Sequence, residues 1–181
     1  MFKYHYTLLV SLFYCMSKIH GGKCDEQRRL MELEDIIVDY FNTTYFDEDT
    51  FDISVIYNAD SDNTMRIKFD IIHELPSEIF LKMKVWGRAF GQYQVPTGIS
   101  VDINVCDNQL KKYFLEQILQ TIGITDCPPK KVSGVYEFEG ISPNINGLPL
   151  YALPGLHLLV DSEVYSTNIS LMKVKAYMNI D

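Results

Sequence analysis

Histidines, cysteines and clustered carboxylates are the side chains whose spacing would betray chemistry in this sequence. There are four histidines. His5 and His20 fall in the N-terminal stretch, and His73 and His157 stand alone. The sequence contains no HExxH metal helix, no GxSxG nucleophile turn, no phosphate-binding glycine loop and no CxxC redox pair. A lone histidine in a strand is more often structural than catalytic, so no enzyme and no cofactor are expected. His157, in the apolar run Leu156 to Val160, is the histidine placed to orient a polar ligand group. Asp47-Glu48-Asp49 is a dense acidic run. A calcium loop spaces its oxygen ligands regularly, which this run does not, so a solvated turn is expected and no metal site.

The cysteines offer a different chemistry. Of four, Cys15 lies in an apolar N-terminal run. Cys106 and Cys127 bracket a strand–helix–return unit whose ends can meet, and they are the expected disulfide. Closing a loop of about twenty residues stabilises a fold by ~3 kcal/mol in the chain-entropy model. Cys24 is left over, to pair with another chain, to stay free, or to take a partner the sequence does not reveal. Two sequons, Asn42-Thr43-Thr44 and Asn168-Ile169-Ser170, are candidate glycosylation sites.

A disulfide and glycans presuppose export, and the N-terminus supplies a signal. Lys3 gives a short basic start, Thr7 to Ser17 an apolar core, and Ser17, Gly21 and Gly22 small cleavage-site residues. Residues 1–22 are therefore expected to be a signal peptide and 23–181 a single secreted, extracellular domain. The apolar run is about eleven residues, too short for a bilayer of ~30 Å, and no second long run follows, so no transmembrane anchor is expected. Losing Lys3 and Lys18 leaves 14 basic residues against 24 acidic, taking the net charge from −8 to −10. That acidity argues against nucleic acid as a partner and against strong attraction to anionic membranes.

The elements that must position any site are strands. Aromatic residues make up 13% of the chain, with 12 Tyr and 10 Phe, which suits a pleated surface. Leu30, Leu33, Ile37 and Phe41 fit a helix face, whereas Ile36, Val38 and Tyr40 alternate; a strand over 33–42 is the preferred reading. Phe51 to Tyr57 and Met65 to Ile71 alternate around the turn Asn58 to Asn63 and predict a hairpin. Alternation resumes at Ile79 to Val85, wanders from Gly87 to Gly98, and returns at Ile99 to Val105. Asp107 caps a helical stripe made by Leu110, Phe114, Leu115, Ile118, Leu119 and Ile122, and Gly123 ends it. Val135 to Phe138 is a short strand. A Pro-rich loop, 141–155, then leads to two final strands, Leu156 to Tyr165 and Ser170 to Asn179. The sum is a mainly β chain: an antiparallel β-cup or sandwich of about eight strands with one helix packed on it.

A cup with apolar inner walls binds a lipid without catalytic apparatus, because each buried CH₂ contributes ~0.8 kcal/mol. Candidate wall residues are Val55, Phe69, Met83, Trp86, Ile103 and Leu119, with Ile53, Ile67, Leu81 and Val101 on the same strands. Connections normally run over the surface, so the apolar stretch Leu148-Pro149-Leu150-Tyr151-Ala152-Leu153-Pro154 needs burial or a partner. Leu148, Leu150, Tyr151 and Leu153 are candidate residues of the cup's mouth. The competing reading makes the same side chains a solid core, and the protein a secreted interaction module for a cell-surface receptor, without a small ligand.

The order of several short motifs resembles a family of secreted insect proteins related to the ganglioside activator protein, among them the contact-chemosensation (CheB-type) proteins. The matching pieces are Val101-Asp102-Ile103-Asn104-Val105-Cys106, Cys127-Pro128, Gly134-Val135-Tyr136, Leu148-Pro149 and Leu153-Pro154-Gly155. The resemblance implies a lipid-receptive β-cup that carries or presents an apolar molecule, and a role in contact chemosensation, handling cuticular hydrocarbons or pheromones. This chain has fewer cysteines than the ganglioside activator itself, so that protein's ligand and enzyme partner do not transfer.

Overall fold

The computed structural model describes residues 31–59, 62–106, 127–130, 135–141 and 155–180. Within them are eight strands: β1 (Met31–Phe41), β2 (Asp52–Ile56), β3 (Thr64–Phe69), β4 (Phe80–Ala89), β5 (Gln92–Asn104), β6 (Tyr136–Ile141), β7 (Leu156–Ser166) and β8 (Ile169–Ile180). They form two antiparallel sheets, a five-stranded one in the order β1-β8-β7-β4-β5 and a three-stranded one in the order β2-β3-β6. The mainly β, antiparallel architecture expected from the alternation is thus present. The helix expected over Asp107 to Ile122 lies outside the described residues.

Strand β1 explains its own ambiguous sequence. Its register against β8 pairs Leu33, Ile36, Val38 and Phe41 with Met178, Ala176, Val174 and Met172, and slips between Leu33 and Asp35 and again between Val38 and Tyr40. Each slip adds a residue to β1 and shifts the two-residue alternation by one. Apolar residues at uneven intervals therefore share one face, and the spacing imitates a helix. Ile37, which belonged to the helical stripe, is instead 43% exposed on the opposite side.

The stretch from Gly87 to Gly98, expected to wander, is a hairpin. β4 runs to Ala89, and β5 starts at Gln92. Phe90 and Gly91 make the turn, with φ of 52° and 80°. Pro96 pairs with Trp86 in the ladder, and the register slips between there and Lys84. Strand β5 is the sheet's edge, where a missing N–H costs no ladder bond. The bulge absorbs Thr97 and Gly98, and Gly98 itself has φ of 82°.

The sheets meet at one end through a packed aromatic cluster. Phe46, Phe69, Ile71, Ile79 and Leu171 are buried there, with Phe41, Phe51, Ile67, Tyr136, Val164 and Met172 against them. Phe41 stacks on Phe51 at 4.3 Å between ring centroids, and Phe46 meets Phe51 and Phe69 edge-on at 5.4 and 5.8 Å. Such pairs contribute ~0.5–1.5 kcal/mol each beyond their buried area. At the far end of the five-stranded sheet Val85, Leu158 and Ile180 form a second buried cluster. The turn between β2 and β3 fastens to β1: Asn63 Nδ2 donates to the Leu33 carbonyl at 3.0 Å, and the Tyr57 hydroxyl donates to the Glu34 carbonyl at 3.0 Å.

Candidate apolar binding site

Between those two closed ends lies the inner face of the five-stranded sheet. The register lines up rows of apolar side chains across it: Val38, Val174, Met83 and Val101 in one, Ile36, Ala176, Val160 and Val85 in the next. Val85 is buried, but Ile36, Val38, Met83, Val101, Val160, Val174 and Ala176 are only half-buried. From the three-stranded sheet Ile53, Val55, Met65 and Phe138 alternate onto the facing side and are half-buried too. A solid sandwich of this size would bury its central rows most deeply and leave its ends open. Among the described residues the fully buried side chains gather toward the two ends and, Val85 apart, the side chains between them are only partly buried.

One polar side chain interrupts the apolar rows. Ser162 lies between Met83 on β4 and Val174 on β8. It is half-buried, on the same face as Val160 and Val164. A hydroxyl donates one hydrogen bond and accepts two. In this setting its natural partner is a single polar group on an otherwise apolar molecule.

The outer face of the same sheet has the opposite chemistry. Lys175 Nζ lies 2.6 Å from Asp39 and Lys173 Nζ 3.4 Å from Glu163. The hydrogen bond to Asp39 raises the Lys175 pKa. The Tyr165 hydroxyl donates to Asp102 at 2.8 Å, and that bond raises the phenol's pKa. An open groove of about 320 Å³ on this side is lined by Lys82, Glu163, Tyr165, Thr167 to Ser170, a polar surface unsuited to a hydrocarbon. The outer face of the three-stranded sheet is also ionic: Arg66 lies 2.6 Å from Glu137 and 3.2 Å from Glu139.

The residues singled out from sequence separate accordingly. Val55, Met83 and Ile103 are half-buried on the inner faces. Phe69 faces inward but is 8% exposed, closed off by Phe46 and Tyr136. It seals the end of the cup and offers a ligand little surface. Trp86 follows Val85 in β4 and pairs with Leu159, so strict alternation turns it to the face opposite Val85. Leu119, Leu148, Leu150, Tyr151 and Leu153 lie outside the described residues. So does Cys24, whereas Cys106 and Cys127 are joined as expected, with 5.3 Å between their Cα atoms.

Neither histidine belongs to the inner face. His157 Nδ1 lies 3.0 Å from Glu34 Oε1 on the outer side, so it is not placed to orient a ligand between the sheets. His73 Nδ1 lies 2.7 Å from the Thr44 carbonyl oxygen. Asp47 is consumed by its own turn, with its carboxylate accepting from the Asp49 N–H at 3.3 Å. Of the sequon asparagines, Asn168 is exposed at the β7–β8 turn. Asn42 is half-buried, accepting from the Thr44 N–H at 3.0 Å and donating to the Ser170 carbonyl at 3.2 Å.

The β1, β7 and β8 wall residues were overlooked at the level of sequence. For β7 and β8 a signal existed, since Leu156, Leu158 and Val160, and Met172, Val174, Ala176 and Met178, alternate cleanly. For Ile36 and Val38 the bulges hid it.

No protein-family model matches the chain, and no curated protein matches it either. Distantly similar solved structures include the following two. Chicken MD-1 complexed with lipid IVa is 12% identical with a TM-score of 0.33, over 87% of this chain and 85% of that one. A Niemann-Pick type C2 protein from Japanese carpenter ant is 14% identical with a TM-score of 0.29, over 82% of this chain and 91% of that one. At these TM-scores neither likeness bears on function.

Proposed function

We propose that this protein is a secreted carrier or presenter of an apolar small molecule or lipid, held between its two sheets. The observation that carries the reading is the half-buried apolar middle of the inner face, bounded by two fully buried clusters. Ten methylenes placed against such walls contribute about 8 kcal/mol before ordering costs. Ser162 narrows the ligand class to an amphiphile with a hydrogen-bonding group partway along a hydrocarbon body. The setting in contact chemosensation is supported by the sequence resemblance alone.

Titration with a fluorescent fatty acid tests the reading. Saturable binding is expected, competed by unlabelled fatty acid. Val55→Trp, which fills space from the small sheet, and Met83→Asp, which puts a charge on the wall, are expected to weaken it at least tenfold. Both variants should keep a cooperative thermal transition. Ser162→Ala is expected to weaken hydroxylated or carbonyl-bearing ligands by about fivefold and leave pure hydrocarbons unaffected, the loss of one hydrogen bond. Absence of saturable binding would overturn the carrier and favour the interaction module.

A further inference from the structure

The β4–β5 hairpin carries a residue that its turn does not explain. Phe90 and Gly91 are its two central residues, both with positive φ, and strand pairing closes from Ala89 to Gln92 around them. This is the geometry of a type I′ turn, for which Asn-Gly is the favoured sequence. Gly91 fits. Phe90 does not, because a bulky side chain is disfavoured at φ of 52°. Nor does packing reward it: Phe90 is 100% exposed. A strained backbone position bearing a wholly solvent-exposed aromatic ring is a poor choice for folding and a good one for contact with something outside the chain.

The surroundings say what kind of contact. From Ile79 to Val101 the chain contains Lys82, Lys84 and Arg88 and no acidic residue, in a protein of net charge −8. Lys82 and Lys84 face Glu163 and Asp161 across β7, so the cation nearest the tip, Arg88, matters most. Its guanidinium lies over the Tyr93 ring at 5.9 Å from the centroid, and Tyr93 packs edge-on against Tyr177. Desolvation, and the field of Glu34 after it, raise the Tyr93 pKa, with Arg88 opposing. Glu34 is itself held by His157. Asp102, the next acid along β5, is ten residues on from Gln92, about 26 Å at strand rise once the two bulged residues are discounted. That is several Debye lengths at physiological salt. Val95 adds a second exposed apolar side chain, at 45%.

We infer that the β4–β5 hairpin is a membrane-docking element, with Phe90 inserting below the headgroups and Arg88 and Tyr93 lying at headgroup level. Phosphate is the natural partner of a guanidinium, and tyrosine favours the interfacial zone. A lipid surface fits better than a protein partner, because a stable protein interface needs about 1,000 Å² of complementary surface. A narrow tip with one protruding ring provides a wedge. Docking is independent of carriage between the sheets, since Phe90 lies on neither wall.

Vesicle flotation of the full secreted chain tests this, with phosphatidylcholine vesicles and with vesicles containing 30% phosphatidylserine. The unmodified protein is expected to float with both, more with the second. Phe90→Asn supplies the residue the turn prefers, so its thermal midpoint should hold or rise while vesicle binding falls about tenfold or more. Phe90→Trp should retain binding. Arg88→Gln should weaken binding to the phosphatidylserine vesicles about fivefold. Uptake of the soluble fatty-acid probe should be the same in all of these. Failure of the unmodified protein to float, or equal flotation of Phe90→Asn, overturns the docking element and leaves the carrier reading to its own titration.

Discussion

At the scale of single residues, two side chains hold the three-stranded sheet in place by different means. Asn63 is buried and joins the β2–β3 turn to β1: its amide donates to the Leu33 carbonyl, and its oxygen accepts from the Asn58 N–H at 3.2 Å. Asn63→Ala leaves a buried carbonyl unpaired, which costs ~1–3 kcal/mol, and chemical denaturation should report a loss in that range with an unchanged slope. Arg66 acts through charge. Its hydrogen bond to Glu137, followed by Lys68's field, holds that carboxyl below its ordinary pKa. A carboxylate depressed in the folded state stabilises the protein above its unfolded pKa, and that contribution fades as pH falls through the lower, folded value. Arg66→Gln should therefore move the Glu137 titration, followed by NMR, back up towards the ordinary carboxylate range. It should also reduce the protein's loss of stability on acidification. Arg66 and Glu137 are both solvent-accessible, so the change at neutral pH should be small.

At the scale of elements, legibility followed regular backbone. The β2–β3 hairpin was plain because Ile53, Val55, Met65 and Ile67 alternate without interruption and Asn58 to Asn63 is a turn in composition. Strand β1 was half-legible, because its two bulges convert a period of two into spacings of three, two and three between Leu33, Ile36, Val38 and Phe41. The hairpin tip was illegible. Pro96 and Gly98 are strand breakers in composition, and the edge position of β5 and its bulge make them tolerable. Trp86 shows a simpler limit: an apolar type on a strand does not reveal which face it takes, and only the phase of Met83 and Val85 does. The Cys106–Cys127 pair was legible because spacing alone limits which ends can meet. Its 21-residue separation makes Cys106→Ser expected to cost ~3 kcal/mol, measurable as a lower midpoint that matches the reduced form of the unmodified protein.

At the scale of the whole molecule, the two sheets divide polar from apolar surface. Ion pairs occupy both outer faces: Lys175 with Asp39 on the large sheet, and Arg66 with Glu137 and Glu139 on the small one. Among the described residues the inner faces are apolar but for Ser162. Closing one end with rings and the other with Val85, Leu158 and Ile180 leaves the middle as the place where an apolar molecule gains most by leaving water. Native mass spectrometry of the protein recovered from cells that secrete it tests this most directly. The account predicts a discrete added mass that organic extraction releases as a lipid-like amphiphile, and that Val55→Trp does not carry. A folded protein of bare polypeptide mass, with nothing extractable and no fatty-acid binding afterwards, would contradict it.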